Sequence, residues 1–197
     1  VFRYLDRGKQ AWVFEDGEGK RVLKLFDKSY FSSPWRAWIG RGDKNRERLR
    51  YFESGYPLAY RLFRDQCALI DCGWGSEEEG APVYVIDRAG RPHKVDLSRT
   101  CFVLQKKGVS LSRVSGDCRE WKRQAEQLVA ARIAQGVRDG DKSVLKNYGV
   151  VEGKVAILDP GRFILEPQLV SDPRMAREEW SRSAALLERW VAHQSAL

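Results

Sequence analysis

The chain has 197 residues, 43% of them hydrophobic and 31% charged, the proportions of an ordinary globular fold of one domain or two small lobes. No apolar run is long enough to cross a membrane as a helix, and four cysteines without a CxxC pair, beside only His93 and His193, argue against a zinc site. The net charge of +8, concentrated at Arg36, Arg41, Lys44, Arg46, Arg48 and Arg50, suits either a solvated basic face or an anionic partner such as nucleotide, nucleic acid or an acidic surface. Reduced thiols at Cys67, Cys72, Cys101 and Cys118, packed as small apolar residues, point to a cytoplasmic protein. The start at Val1 rather than Met leaves a trimmed leader, and so secretion, open.

Ala11-Trp12-Val13-Phe14 and Arg21-Val22-Leu23-Lys24-Leu25-Phe26 are β-prone runs on either side of the turn signal Asp16-Gly17-Glu18-Gly19, which predicts a hairpin. Residues 29–42 read as irregular. Asp43 can cap a helix that runs through Leu49 and Phe52 and stops at Gly55-Tyr56-Pro57, with a second short helix up to Arg64. Cys67-Ala68-Leu69-Ile70-Asp71, Pro82-Val83-Tyr84-Val85-Ile86 and Thr100-Cys101-Phe102-Val103-Leu104 read as further strands. The character changes at Lys106-Lys107-Gly108. A helix is expected from Asp117 to Gln135, with Trp121, Ala125, Leu128, Val129 and Ile133 on one face. A hairpin follows, Tyr148-Gly149-Val150-Val151 against Lys154-Val155-Ala156-Ile157-Leu158, around Glu152-Gly153. Asp172 and Pro173 open a final helix with the stripe Trp180, Ala184, Leu187 and Val191. The order predicts a strand-rich half over residues 1–107 and a helix-rich half over 108–197.

Val155-Ala156-Ile157-Leu158-Asp159-Pro160-Gly161 delivers one carboxylate from an apolar strand onto a tight turn, a good mount for a divalent cation. Asn147 lies a short hairpin upstream. A loop presenting Asp139 or Asp141 and then Asn147 can supply a base and a metal ligand, and Asp159 adds a second ligand. Lys24 sits between Leu23 and Leu25, and period-two alternation puts it on the face of Val22 and Phe26. An ammonium in that setting needs a carboxylate or phosphate at its tip. Glu47, on the helix after the strand, is the expected partner, and Glu53 on the same helix competes with it.

With these residues in this order, the chain from about Tyr4 to Phe163 resembles the protein-kinase-like superfamily. Tyr4-Leu5-Asp6-Arg7-Gly8-Lys9-Gln10-Ala11-Trp12-Val13 is similar to the glycine-rich loop and the valine after it. Arg21-Val22-Leu23-Lys24 is similar to the strand that carries the ATP-binding lysine, with Val22 over adenine. Phe102 to Gly108 resembles the hinge, Val137-Arg138-Asp139-Gly140-Asp141 through Asn147 the catalytic loop, and Leu158-Asp159-Pro160-Gly161 the metal-binding Asp-Phe-Gly. In its compactness the chain is similar to small bacterial sugar and lipopolysaccharide-core kinases or compact effector kinases. The resemblance implies an α+β, two-lobed kinase-like fold, with a small antiparallel-sheet N-lobe and a reduced, mainly helical C-lobe. It implies ATP and Mg²⁺ as cofactors and transfer of the γ-phosphate to a hydroxyl of a protein, sugar or lipid headgroup. Gly8, Val13, Val22, Lys24 and Glu47 would bind nucleotide, Asn147 and Asp159 would hold Mg²⁺, and Asp139 or Asp141 would act as base. Nucleic acid is the weaker partner class, because no nucleic-acid motif accompanies the basic cluster.

The departures from the pattern define the alternative, a kinase-like pseudoenzyme that binds nucleotide or protein without transfer. Asp6 and Ala11 stand where the other loop glycines would be, and Val137 replaces the catalytic-loop histidine. Pro160 replaces the phenylalanine of Asp-Phe-Gly and should stiffen that turn. No Ala-Pro-Glu motif follows Gly161, so peptide docking of the eukaryotic type has no support in the sequence.

Overall fold

A computed structural model describes residues 1–8, 11–26, 54–75, 82–141 and 143–194. They fall into two compact units, one drawn from residues 1–50 and 69–107 and the other from 51–68 and 108–197. Glu47, Glu53 and the basic cluster from Arg36 to Arg50 lie outside the described residues.

The first unit is built on a seven-stranded sheet. Its strands are β1 (Phe2–Arg7), β2 (Ala11–Asp16), β3 (Arg21–Phe26), β4 (Leu69–Trp74), β5 (Pro82–Ile86), β6 (Pro92–Asp96) and β7 (Cys101–Lys106). The spatial order is β4-β7-β3-β2-β1-β5-β6. Neighbours run antiparallel except β1 and β5, which are parallel. The alternation read from β3 holds: Leu23 is buried in a cluster with Phe14, Val85 and Phe102, while Val22 and Phe26 are buried on the opposite face. A strand paired on both sides and covered on both faces fits the apolar run that flanks Lys24. The β2–β3 turn is pinned by the Asp16 carboxylate, which accepts from the Lys20 amide at 2.8 Å and from Arg21 Nε at 2.7 Å. The bond from the Arg21 side chain leads in holding the Asp16 carboxyl down at about 2.

The second unit begins with a helix, α1, over residues 54–62. Gly55-Tyr56-Pro57 lies in this helix, which matches the second short helix expected up to Arg64; the helix expected from Asp43 lies outside the described residues. A Cβ on Gly55 would stand 2.7 Å from the backbone of both Pro160 and Gly161, so the glycine permits a close backbone approach. Residues 54–68 also leave the strand-rich half, where the sequence reading put them. Phe63 packs edge-on to Phe163 with ring centroids 6.1 Å apart, and the Gln66 carbonyl accepts the Ile157 amide at 2.8 Å.

Two long helices follow, α2 (Cys118–Ala134) and, at the end, α5 (Pro173–Gln194), and they pack on each other. Asp117 caps α2 through the Glu120 amide at 3.0 Å, and Asp172 caps α5 through the Arg174 amide at 2.9 Å. Between them come the single turns α3 (Val144–Asn147) and α4 (Gln168–Ser171). Two small sheets complete the unit: β8 (Val109–Ser110), β10 (Tyr148–Val151) and β11 (Lys154–Ile157) in the order β11-β10-β8, and β9 (Val137–Asp139) with β12 (Phe163–Leu165). The buried face of α2 is Ala125, Val129, Arg132 and Ile133. That of α5 is Glu179, Ser183, Leu187 and Trp190, one residue away from most of the expected stripe. Among the described residues no helix is long and apolar enough to cross a membrane, and the four cysteines are free thiols.

Candidate functional site

Four of the sequence-selected residues come together in the second unit, joined by hydrogen bonds along one stretch of chain. Asp139 ends β9, and its Oδ1 accepts the Asp141 amide at 2.8 Å. Asp141 Oδ1 in turn accepts the Ser143 amide at 2.9 Å. The Ser143 carbonyl accepts the Asn147 amide at 3.0 Å, closing the turn α3. The Asn147 carbonyl then accepts the amides of Leu158 at 2.6 Å and Asp159 at 3.2 Å, where the chain leaves β11. The β12–β9 pairing sets Phe163 opposite Asp139, and the Gly140 amide donates to the Arg162 carbonyl at 3.0 Å. This folds the turn after Asp159 back toward the aspartate loop, with Arg162 Nε 3.8 Å from Asp141 Oδ2.

The two candidate bases differ in surroundings. Asp139 is only 3% exposed, whereas Asp141 is half-buried. Burial pushes the Asp139 carboxyl up to about 6, although the Arg132 guanidinium and the Asp141 amide pull the other way. Around Asp139 lies a buried ionic cluster that sequence reasoning missed. Arg132 Nη2 stands 2.8 Å from Glu179 Oε1, and Arg132 Nη1 donates to the Val137 carbonyl at 2.8 Å. The Asp139 amide donates to Glu179 Oε1 at 3.2 Å, and Arg182 Nη2 donates to both the Asp139 carbonyl at 2.8 Å and Glu179 Oε2 at 2.6 Å. A signal was present: Arg132 and Glu179 are charged residues at helical spacing with buried apolar neighbours, where each needs a partner.

Asp159 is exposed, and its Oδ1 accepts from the Tyr56 hydroxyl at 3.0 Å and from the Gly161 amide at 3.2 Å. Asn147 is buried at the end of α3. An amide oxygen and a carboxylate are the hard donors that Mg²⁺ takes, and two protein oxygens suit an ion that keeps waters and phosphate oxygens for its other positions. The pair fits that role. Among the described residues no group of three or more His, Cys, Asp or Glu side chains gathers to hold a metal by itself.

The remaining candidates lie in the first unit. Lys24 is half-buried on β3, with Val13 of β2 and Val103 of β7 opposite it in register. Val22 is buried on the same strand, and Val13 is half-buried. Gly8 stands in the β1–β2 connection, where its amide donates to the Ala11 carbonyl at 2.9 Å.

No protein-family model matches the chain, and no curated protein matches its sequence. Among solved structures the chain is similar to WbdD, with a TM-score of 0.51 and 13% identity over 96% of this chain and 45% of that one. It also matches WbdD in complex with the kinase inhibitor LY294002, with a TM-score of 0.47 and 14% identity over 96% of this chain and 45% of that one. A third match is vaccinia related kinase 3, with a TM-score of 0.41 and 16% identity over 83% of this chain and 47% of that one. The chain thus spans slightly under half the length of these structures. Such identities speak to fold alone. The α+β architecture of the chain, a strand-built first unit followed by a second unit with two long helices, is a protein-kinase-like fold.

Proposed function

We propose that the chain carries an ATP- and Mg²⁺-dependent phosphotransferase site that moves the γ-phosphate of ATP to a hydroxyl group. The observation that supports this best is the hydrogen-bonded run from Asp141 through Ser143 and Asn147 to Asp159, which brings the backbone of these three residues together on a kinase-like fold. Asp141 is the better candidate base. It is partly exposed, and among the described residues its Oδ2 is paired with the Arg162 guanidinium at 3.8 Å, whereas Asp139 is enclosed by the Arg132–Glu179 cluster. Asp141 would orient the acceptor hydroxyl and take its proton as the new oxygen–phosphorus bond forms and the bond to the β-phosphate oxygen breaks, releasing ADP. Lys24 would neutralise charge on the α- and β-phosphates, with Glu47, or Glu53 in its place, holding the ammonium straight. Val13 and Val22 would cover the adenine. Asn147 and Asp159 would hold Mg²⁺, whose charge would offset the negative charge that develops in transfer. The acceptor class is a hydroxyl on a protein, sugar or lipid headgroup.

One observation favours a second reading, a pseudoenzyme that holds nucleotide or a protein partner without transfer. The Gly8 amide is already bonded to the Ala11 carbonyl, so it is not open to a phosphate oxygen. Labelled ATP separates the two. A phosphotransferase releases phosphate or labels an acceptor, and Lys24→Ala and Asp141→Asn each slow this about 100-fold or more. A pseudoenzyme gains thermal stability with ATP and Mg²⁺ but turns nothing over.

A further inference from the structure

A small interlocked cluster joins α1 to the turn that bears Asp159. Tyr56 is 2% exposed, and its hydroxyl donates to Asp159 Oδ1 at 3.0 Å. The Gly161 amide donates to the same oxygen at 3.2 Å. Asp159 Oδ2 takes no hydrogen bond among the described residues, although the residue is exposed. The fit is tight on both sides of this contact. A Cβ on Gly161 would stand 3.1 Å from Tyr56 Cε2 and 3.1 Å from Asp159 Oδ1, and a Cβ on Gly55 would stand 2.7 Å from the Pro160 and Gly161 backbone. The two glycines therefore let α1 close on the turn until the phenol reaches the carboxylate. Facing a carboxylate oxygen, the phenol hydroxyl is the donor of this bond.

We infer that Tyr56 is a positioning residue for the metal site: with the Gly161 amide it fixes one oxygen of Asp159, so that the other is presented in a single orientation to a divalent cation. This rests on the reading of Asp159 as a metal ligand. An exposed aspartate ordinarily samples several rotamers, and a cation bound by so few protein oxygens depends on each one being held in place. Two donors on Oδ1 remove that freedom without occupying Oδ2. Because the donor comes from α1, docking of that helix on the turn and capture of the cation are coupled.

The test titrates MnCl₂, with a non-hydrolysable ATP analogue present, into the full chain and counts free Mn²⁺ by electron paramagnetic resonance. Wild type, Tyr56→Phe and Asp159→Asn are compared. Tyr56→Phe keeps the ring and removes only the hydroxyl. It is expected to weaken Mn²⁺ binding about 10-fold or more, and Asp159→Asn to abolish it. If Asp159→Asn abolishes binding while Tyr56→Phe binds like wild type, the positioning role is overturned and the metal reading stands. If Asp159→Asn binds like wild type, the metal reading itself fails and takes the inference with it. Should Tyr56→Phe not fold, 3-fluorotyrosine at position 56 retains the hydroxyl. Its fluorine resonance should then shift on addition of Mg²⁺ and nucleotide in the wild-type background and not with Asp159→Asn, and an unmoved resonance overturns the inference.

Discussion

Asp139 and Asp159 sit at the two ends of the same hydrogen-bonded segment, and the protein treats them in opposite ways. Around Asp139 the structure closes: two arginines and a glutamate from the long helices α2 and α5 tie down the end of β9, and the carboxyl is raised by burial. Around Asp159 the structure stays open: one oxygen is fastened by Tyr56 and Gly161, and the residue is exposed. A carboxylate enclosed by charges that satisfy each other holds a strand end in place. A carboxylate fixed at one oxygen and solvated at the other can receive a ligand. The difference suits the first to a scaffold and, on the proposed function, the second to binding a ligand.

The largest effect expected from this contrast is at the open end. Asp159→Ala should reduce ATP turnover by about 10⁴-fold, close to 5 kcal/mol of transition-state stabilisation. Turnover retained within tenfold of wild type would break the contrast at once. At the closed end the expectation reverses. Glu179→Ala leaves the Arg132 guanidinium, 1% exposed, without its ion-pair partner, and should cost about 3–5 kcal/mol of folding stability in denaturant titration. In protein that stays folded, ATP binding should be nearly preserved.

The same contrast explains what could be read in the chain and what could not. That Asn147 and Asp159 lie side by side was legible because the signals are local: an apolar strand, a turn and a short hairpin lie within a few residues of each other. β3 and β5 announce themselves by apolar alternation. β6 does not, since at the sheet edge Pro92, His93 and Lys94 are all exposed and leave no pattern to find. β1 is mostly exposed as well, and its residues read more readily as a loop. The face of α5 was misjudged because periodicity counts apolar residues, while Glu179 is buried by virtue of an arginine on another helix. Tyr56 was invisible for the same reason, since the carboxylate it serves is 103 residues away. Gly55 answers to the backbone of a distant turn, which no local pattern reveals.

The smallest effect, and the sharpest on the comparison itself, is the pH dependence at Asp139. Its carboxyl titrates at about 6 in the folded chain against 3.8 ordinarily. Between those values the native state holds a proton that the unfolded state has released, so stability from this group falls as pH rises. The contribution is fully present below about pH 4 and gone above about pH 6, an upper bound near 3 kcal/mol for a shift of this size. Burial drives the shift, the Arg132 guanidinium and the Asp141 amide oppose it, and the Asp141 and Glu179 carboxylates add to it. Asparagine at this position cannot titrate. The stability of wild type relative to Asp139→Asn should therefore decline from pH 4 to pH 7, measured by urea unfolding at matched ionic strength, and the decline should flatten above about pH 6. The opposite slope would mean that Arg132 outweighs burial and keeps Asp139 ionised. The closed end of the segment would then hold a stable anion like the open end, and burial alone would no longer tell the scaffold carboxylate from the ligand-ready one.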